Sequence, residues 1–252
     1  ESVPELVEGL KSPRIVWLML PASETDIYIN ELSKLLSPGD IVVDGSNSFF
    51  EHSYMRAQKL ARSKIHYLDC GTSGGVWGER NGFSLMVGGD PKIFKKVEPV
   101  FKALAASSPQ PSPTGRRNPH PSPSPSGRGI KGEGISYSYG LMGKTGTGHF
   151  VKMVHNGIEY GMMEAIAEGF AILDKSKYNL NLAEVAKVWS KGSVVSSWLL
   201  DLARDIFEKE NLDKIVGLIP HTGEGEWTIK VAKKLGVDAR VIEDSFKVRL
   251  ES

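Results

Sequence analysis

Residues 148–161 read GHFVKMVHNGIEYG, and four of them, Lys152, His155, Asn156 and Glu159, have the types and spacing of an acid–base site. At about 100° per residue they fall within an arc of roughly 100° on one helix face. Their neighbours Phe150, Val151, Met153, Val154 and Ile158 are apolar. A lysine in an apolar pocket has a lowered pKa and serves as a base. A glutamate close by serves as an acid, and histidine and asparagine side chains hold the hydroxyls or carboxylate of a substrate. The same strip would also arise as a solvated network of helical neighbours, or as a buried cluster whose members satisfy one another. The spacing leaves these readings open.

The elements around this helix divide the chain. Four apolar runs, at 15–20, 41–44, 65–69 and 83–87, read as buried strands. Helical patterns lie between and after them, at 24–36, 53–63 and 91–104. This alternation predicts an α/β layer structure with a largely parallel sheet. Ligands of such sheets sit beyond the carboxyl ends of the strands. Loops of small residues follow three of the runs, at 21–23, 45–48 and 71–75, and they let a ligand approach the backbone. The stretch from Ala105 to Gly134 is dense in Pro, Ser, Gly and Arg, so it predicts a disordered insert. A last strand follows at 135–139. Helices are then expected at 148–174, 182–190, 196–209 and 228–235. The resulting division is 1–104, an insert at 105–134, a sheet remainder at 135–147, and a helical domain at 148–252.

Composition narrows the function classes. The chain has 252 residues, a net charge of +1, 40% hydrophobic and 24% charged residues. No global field points to nucleic acid or a membrane surface, and no apolar run is long enough to span a bilayer. The single cysteine, Cys70, excludes an internal disulfide, fits a reducing compartment such as the cytoplasm, and reads as packed core. Arg56 and Arg62 read as part of a solvated helix face. No clustered metal-ligand spacing is present.

GHFVKMVHNGIEYG resembles the active-site helix of 6-phosphogluconate dehydrogenases. Residues 69–89, DCGTSGGVWGERNGFSLMVGG, are similar to that family's substrate loop and following strand. Asp44-Gly45-Ser46-Asn47-Ser48 is similar to its DGGNS loop, Met19-Leu20-Pro21-Ala22 to its cofactor-side turn, and Gly223-Glu224-Gly225-Glu226-Trp227-Thr228 to its late glycine-rich segment. The resemblance covers residues 10–104 and 136–250. It implies a partial doubly wound, Rossmann-like parallel sheet followed by an all-helical second domain. It further implies oxidative decarboxylation of 6-phosphogluconate to ribulose 5-phosphate with NADP or NAD, in a homo-oligomer, a dimer or tetramer.

By that resemblance Lys152 matches the general base and Glu159 the acid that protonates the enediol, with His155 and Asn156 beside them. Asn47, Ser73, Gly74, Gly75, Tyr160 and Arg249 match substrate contacts, Arg249 that of the phosphate. Leu20, Pro21, Ala22 and again Asn47 match cofactor contacts. Longer family members carry a lysine and a threonine where this chain has Thr222 and Glu224, and shorter members are acidic there. No G-x-G-x-x-G phosphate loop precedes residue 15, and the chain opens on Glu1 rather than Met. The expectation is a truncated chain lacking roughly the first two strands of the sheet. Two alternatives stand beside the first reading: a related β-hydroxyacid dehydrogenase, and a catalytically inactive remnant.

Overall fold

The computed structural model describes residues 2–106, 138–209 and 222–251. It divides into two compact units, Glu1–Lys152 and Met153–Ser252.

In the first unit, helix α1 (Val3–Gly9) starts on a reciprocal cap between Ser2 and Glu5. There follow β1 (Ile15–Leu18), α2 (Ala22–Leu35), β2 (Ile41–Asp44), α3 (Phe50–Arg62) and β3 (His66–Ser73). A 3-10 turn (Gly75–Trp77) and the short α4 (Gly78–Asn81) lead to β4 (Ser84–Gly89), α5 (Pro91–Ala105) and β5 (Tyr139–Gly143). The strands lie in sequence order in one sheet. Three of the pairings are parallel and β3–β4 is antiparallel. The sheet is therefore largely parallel, as its alternating pattern predicts. The exception falls where the connection is too short for a full crossover helix.

The apolar runs are continuous because both sheet faces are covered. Val16, Leu18, Val42 and Tyr67 pack with Ile29, Leu32 and Leu60 from α2 and α3. The alternate residues Ile41, Val43, Leu68, Cys70, Leu85 and Val87 pack with Ile93, Val97 and Phe101 of α5. Cys70 is fully buried, and burial pushes its thiol up to about 12. It is packed core, as expected. Arg56 corrects the reading of a solvated face: it is only 2% exposed and pairs with Asp44 at 2.8 Å and Asp26 at 2.7 Å. From residue 107 on, the insert expected over 105–134 lies outside the described residues. So do the first residues of the strand expected at 135–139.

In the second unit, the long α6 (Thr147–Asp174) continues past the division between the units. It is followed by α7 (Leu182–Trp189), α8 (Trp198–Lys209), α9 (Glu224–Leu235) and α10 (Arg240–Glu251). Phe170, Ala186 and Leu200 form its core with Trp189 and Phe207 around them. The helices α1 and α10 had no counterpart in the sequence reading.

One buried acid ties the start of β1 to that of β2. Asp40 is fully buried and accepts from the Arg14 and Ser37 backbone N–H groups at 2.7 and 2.8 Å and from the Arg14 guanidinium at 3.0 Å. Burial alone would raise its pKa, but these donors together hold it below the usual carboxylate range. A carboxyl depressed in the folded chain stabilises fully above the unfolded pKa of about 3.9, and that contribution is lost as pH falls through the folded value. Asp40→Asn should therefore cost about 2 kcal/mol near neutral pH. The cost should shrink as pH falls below about 4. Denaturant unfolding of both proteins across pH checks this, and a cost equally large in acid would refute the charge assignment.

Candidate active site

The first unit brings several of the expected residues to the carboxyl ends of β1, β2 and β3. Beyond β2, the Asp44 carboxylate gathers the next turn around itself. It accepts from the Ser46 N–H at 3.1 Å, the Ser46 hydroxyl at 2.5 Å and the Tyr67 hydroxyl at 2.7 Å. Arg56 donates to both Asp44 and the Ser48 hydroxyl, at 2.8 and 2.7 Å. Asp44, Gly45, Ser46 and Ser48 are buried, and Asn47 alone in this turn is exposed. The loop is thus a tied knot that holds one amide outward.

Leu20, Pro21 and Ala22 form the turn from β1 into α2, with Pro21 as its N-cap residue. Ser73 ends β3, and Gly74 and Gly75 follow at φ of +137° and +50°. Both values lie where glycine is favoured, so this turn needs the glycines that the sequence supplies. Gly71 has a different reason. A Cβ there would lie 2.3 Å from the Lys152 Cβ and 2.8 Å from the Gly148 carbonyl oxygen.

The start of α6 is seated on the sheet by Asp69. One carboxylate oxygen accepts from Gly146 N at 2.6 Å, the other from His149 N at 2.9 Å. The His149 ring, 2% exposed, reaches Ser53 Oγ at 2.8 Å and the Asp44 carbonyl at 3.1 Å. Lys152 follows one turn later and is half-buried.

The second unit holds the remaining polar residues of the α6 strip. His155 Nδ1 donates to Asn156 Oδ1 at 3.1 Å, and Glu159 lies 3.8 Å from the same nitrogen. Asn156 is buried, whereas His155 and Glu159 keep just over a third of their side-chain surface. Tyr160 is buried, with the Arg249 guanidinium 4.5 Å from its ring centre, a cation–π arrangement. Burial lifts the Tyr160 phenol above its usual range; Arg249 pulls it down, and Glu224 and Glu159 add to the rise. Glu224, 3% exposed, accepts from the Thr222 hydroxyl at 2.8 Å. Gly225 leaves room for Tyr160 and Phe246, whose rings would come within 2.8 Å of a Cβ there. Thr228 fastens α9 to α6 by donating to the Met153 carbonyl at 2.8 Å.

Asp69, His149, Ser53 and Arg56 are the residues that the sequence reading did not single out for the site. Three of them had a signal. Ser53, Arg56 and Leu60 are spaced three and four apart and form the buried stripe of α3, while His149 sits in the first turn of the chemically promising helix. Among the described residues, no three His, Cys, Asp or Glu side chains gather to hold a metal ion. Among them, too, no helix is long and apolar enough to cross a membrane. A nicotinamide cofactor fits what is present at the strand ends: the outward Asn47 amide and the open turn at Leu20–Ala22 lie where dinucleotides bind in such sheets.

Comparison with known proteins accords with this geometry. The family model described as the NAD binding domain of 6-phosphogluconate dehydrogenase matches residues 1–112. That described as the 6-phosphogluconate dehydrogenase C-terminal domain matches residues 148–252. The NAD(+)-dependent, decarboxylating 6-phosphogluconate dehydrogenase of Haloferax volcanii is 39% identical over all of this chain and 75% of its own length. A Plasmodium falciparum 6-phosphogluconate dehydrogenase, solved in its apo form, with its cofactor NADP+ and with its substrate 6-phosphogluconate, superposes with a TM-score of 0.80 at 28% identity. The match covers 98% of this chain and 50% of that one, so this chain spans about half of the longer relative. A Mycobacterium tuberculosis 3-hydroxyisobutyrate dehydrogenase shares the fold at a TM-score of 0.69 and 17% identity, covering all of this chain and 77% of that one. Two family models that together take in nearly the whole sequence, and a relative matched across three quarters of its length, carry the conclusion that this chain belongs to the 6-phosphogluconate dehydrogenase family.

Proposed function

We propose that the chain catalyses oxidative decarboxylation of 6-phosphogluconate to ribulose 5-phosphate and carbon dioxide, with NAD or NADP as cofactor. The observation that carries this reading is the seat of Lys152. It lies against Gly71 at the head of a glycine-rich loop, on a helix whose start is fastened to the sheet.

Bound nicotinamide supplies the acceptor for the hydride that leaves C3 of the substrate. The Lys152 amine takes the proton of the 3-hydroxyl as that hydride leaves. The resulting β-keto acid breaks its C1–C2 bond, releasing carbon dioxide. The electron pair moves toward the C3 oxygen, which takes the proton back from the Lys152 ammonium to give an enediol. Glu159 then protonates the former C2 carbon, and the enediol hydroxyl proton leaves to form the ketone. Asn47, Ser73, Gly74 and Gly75 orient the substrate from the strand ends. His155, Asn156 and Tyr160 do so from α6, and Arg249 meets the phosphate. Guanidinium suits that group well.

The same reading makes the protein a cytoplasmic homo-oligomer. The buried lone cysteine supports the compartment. Exposed Val241, Val248 and Leu250 on α10 support association.

Nicotinamide reduction and carbon dioxide release on adding 6-phosphogluconate, with NAD and NADP tried separately, test the reading. Gluconate and 3-hydroxyisobutyrate serve as competing substrates. Turnover of 6-phosphogluconate above both is expected; turnover of none supports an inactive remnant, and preference for 3-hydroxyisobutyrate supports the related dehydrogenase class. Lys152→Met should abolish hydride transfer in a folded protein, and near-normal turnover would remove it from the base role. Glu159→Ala should slow product formation by about 10² or more; an unchanged rate puts the acid elsewhere. Gly71→Ala should lower kcat by about 10², since the added methyl displaces either the Lys152 stem or the backbone beneath it. Wild-type kcat in that variant would show that the close approach has no catalytic consequence.

A further inference from the structure

His149 is a buried titratable residue that the proposed reaction does not use. Its place is nonetheless specific. Its backbone N–H donates to Asp69, so the residue belongs to the seat of α6. Its ring points the other way along the strand ends, to the carbonyl of Asp44 and the hydroxyl of Ser53. Asp44 is the last residue of β2 and opens the turn that presents Asn47. Lys152 is three residues beyond His149 on the same helix. One imidazole therefore connects the two places where the proposed chemistry needs a base and a substrate-orienting amide.

The hydrogen bonds define the ring's orientation. A carbonyl oxygen only accepts, so Nε2 carries the hydrogen and donates to Asp44 over 3.1 Å. Nδ1 meets the Ser53 hydroxyl over 2.8 Å. Ser53 is itself fully buried on α3. The ring thus has one orientation, held from both sides.

We propose that His149 is a positioning residue: through its Nε2–H bond to the Asp44 carbonyl it sets the first turn of α6, and so Lys152, against the loop that holds Asn47. This rests on the proposed role of Lys152 as base. Misplacing a reacting group by about 1 Å costs on the order of 10² in rate, which sets the size of the effect.

Two conservative variants separate the two ring bonds. In His149→Gln the amide nitrogen takes the place of Nε2 and keeps the donor to Asp44. In His149→Asn the side-chain oxygen takes the place of Nδ1 and keeps a partner for Ser53. His149→Leu keeps bulk and loses both. The experiment measures kcat and KM for 6-phosphogluconate in each variant, together with the melting temperature. It also follows the rate at which trinitrobenzenesulfonate labels Lys152, read by peptide mass spectrometry. His149→Leu and His149→Asn should lose roughly 10- to 100-fold in kcat with KM changed less than about 3-fold, and should label Lys152 at a rate altered at least about 3-fold. His149→Gln should recover most of both. Equal losses in Gln and Asn variants that follow the melting temperature would overturn the proposal, as would wild-type kcat in His149→Leu. Should the wild-type chain show no turnover, the reaction reading fails. The labelling then decides alone: an unchanged Lys152 rate in His149→Leu overturns the positioning role, and an altered rate restored in His149→Gln upholds it.

Discussion

Two fully buried carboxylates lie opposite each other on neighbouring strands, Asp44 on β2 and Asp69 on β3. Carboxylates side by side in a sheet interior are costly unless each is matched by donors. The surrounding structure is organised as that match. Asp44 takes the Arg56 guanidinium, the Tyr67 and Ser46 hydroxyls and the Ser46 N–H. Asp69 takes two N–H groups from the start of α6. A helix N-terminus carries unsatisfied N–H groups and a partial positive charge, so a buried carboxylate and a helix start satisfy each other. Tyr67, between the two acids, has its phenol lifted well above its usual range, by burial first and then by both carboxylates. It stays a neutral donor.

This arrangement gives the site its polarity. Asp44 turns the chain after β2 inward around itself and leaves Asn47 facing out. Asp69 draws α6 to the strand ends and sets Lys152 one turn above them. The two jobs use acids in register on adjacent parallel strands, so the Asn47 turn and the Lys152 helix are referenced to the same two residues. His149 joins them again by a separate route, from the α6 start to the Asp44 carbonyl.

Much of this framework was legible in the sequence, and the parts that were not have physical reasons. The runs at 15–20 and 41–44 announced β1 and β2 because strands covered on both faces read as unbroken apolar stretches. The end of β3 was not legible. Gly71, Thr72 and Ser73 pair with β4, but three small residues in a row look like a loop. Helix α1 is seven residues long, too short for a periodic signal. Half of the residues of helix α10 are charged and only Ser245 is buried, so it shows little apolar stripe. Arg56 was read as solvated from its type, although its spacing from Ser53 and Leu60 marked the buried face of α3. In the candidate site, the strip from Lys152 to Glu159 followed from helical spacing and the glycine turn from its composition. The Asp69 seat and the stacking of Arg249 on Tyr160 join residues far apart in sequence, and no local pattern encodes them.

The position of Lys152 is set by backbone contact more than by side-chain packing. A Cβ at Gly148 would lie 2.3 Å from the Met86 carbonyl oxygen, 2.7 Å from that of Asp69 and 2.8 Å from Gly88 N. One at Gly88 would lie 2.6 Å from an Asp69 carboxylate oxygen and 2.8 Å from Gly148 N. With Gly71 beneath Lys152 itself, three glycines let the first turn of α6 rest directly on the main chain of β3 and β4. Side chains relieve a misfit by changing rotamer, whereas main-chain atoms fixed by sheet hydrogen bonds move only with the sheet. The base role proposed for Lys152 would need a support of that stiffness. The glycines at Gly71, Gly88 and Gly148 therefore serve rigidity. Those at Gly74 and Gly75 serve the turn.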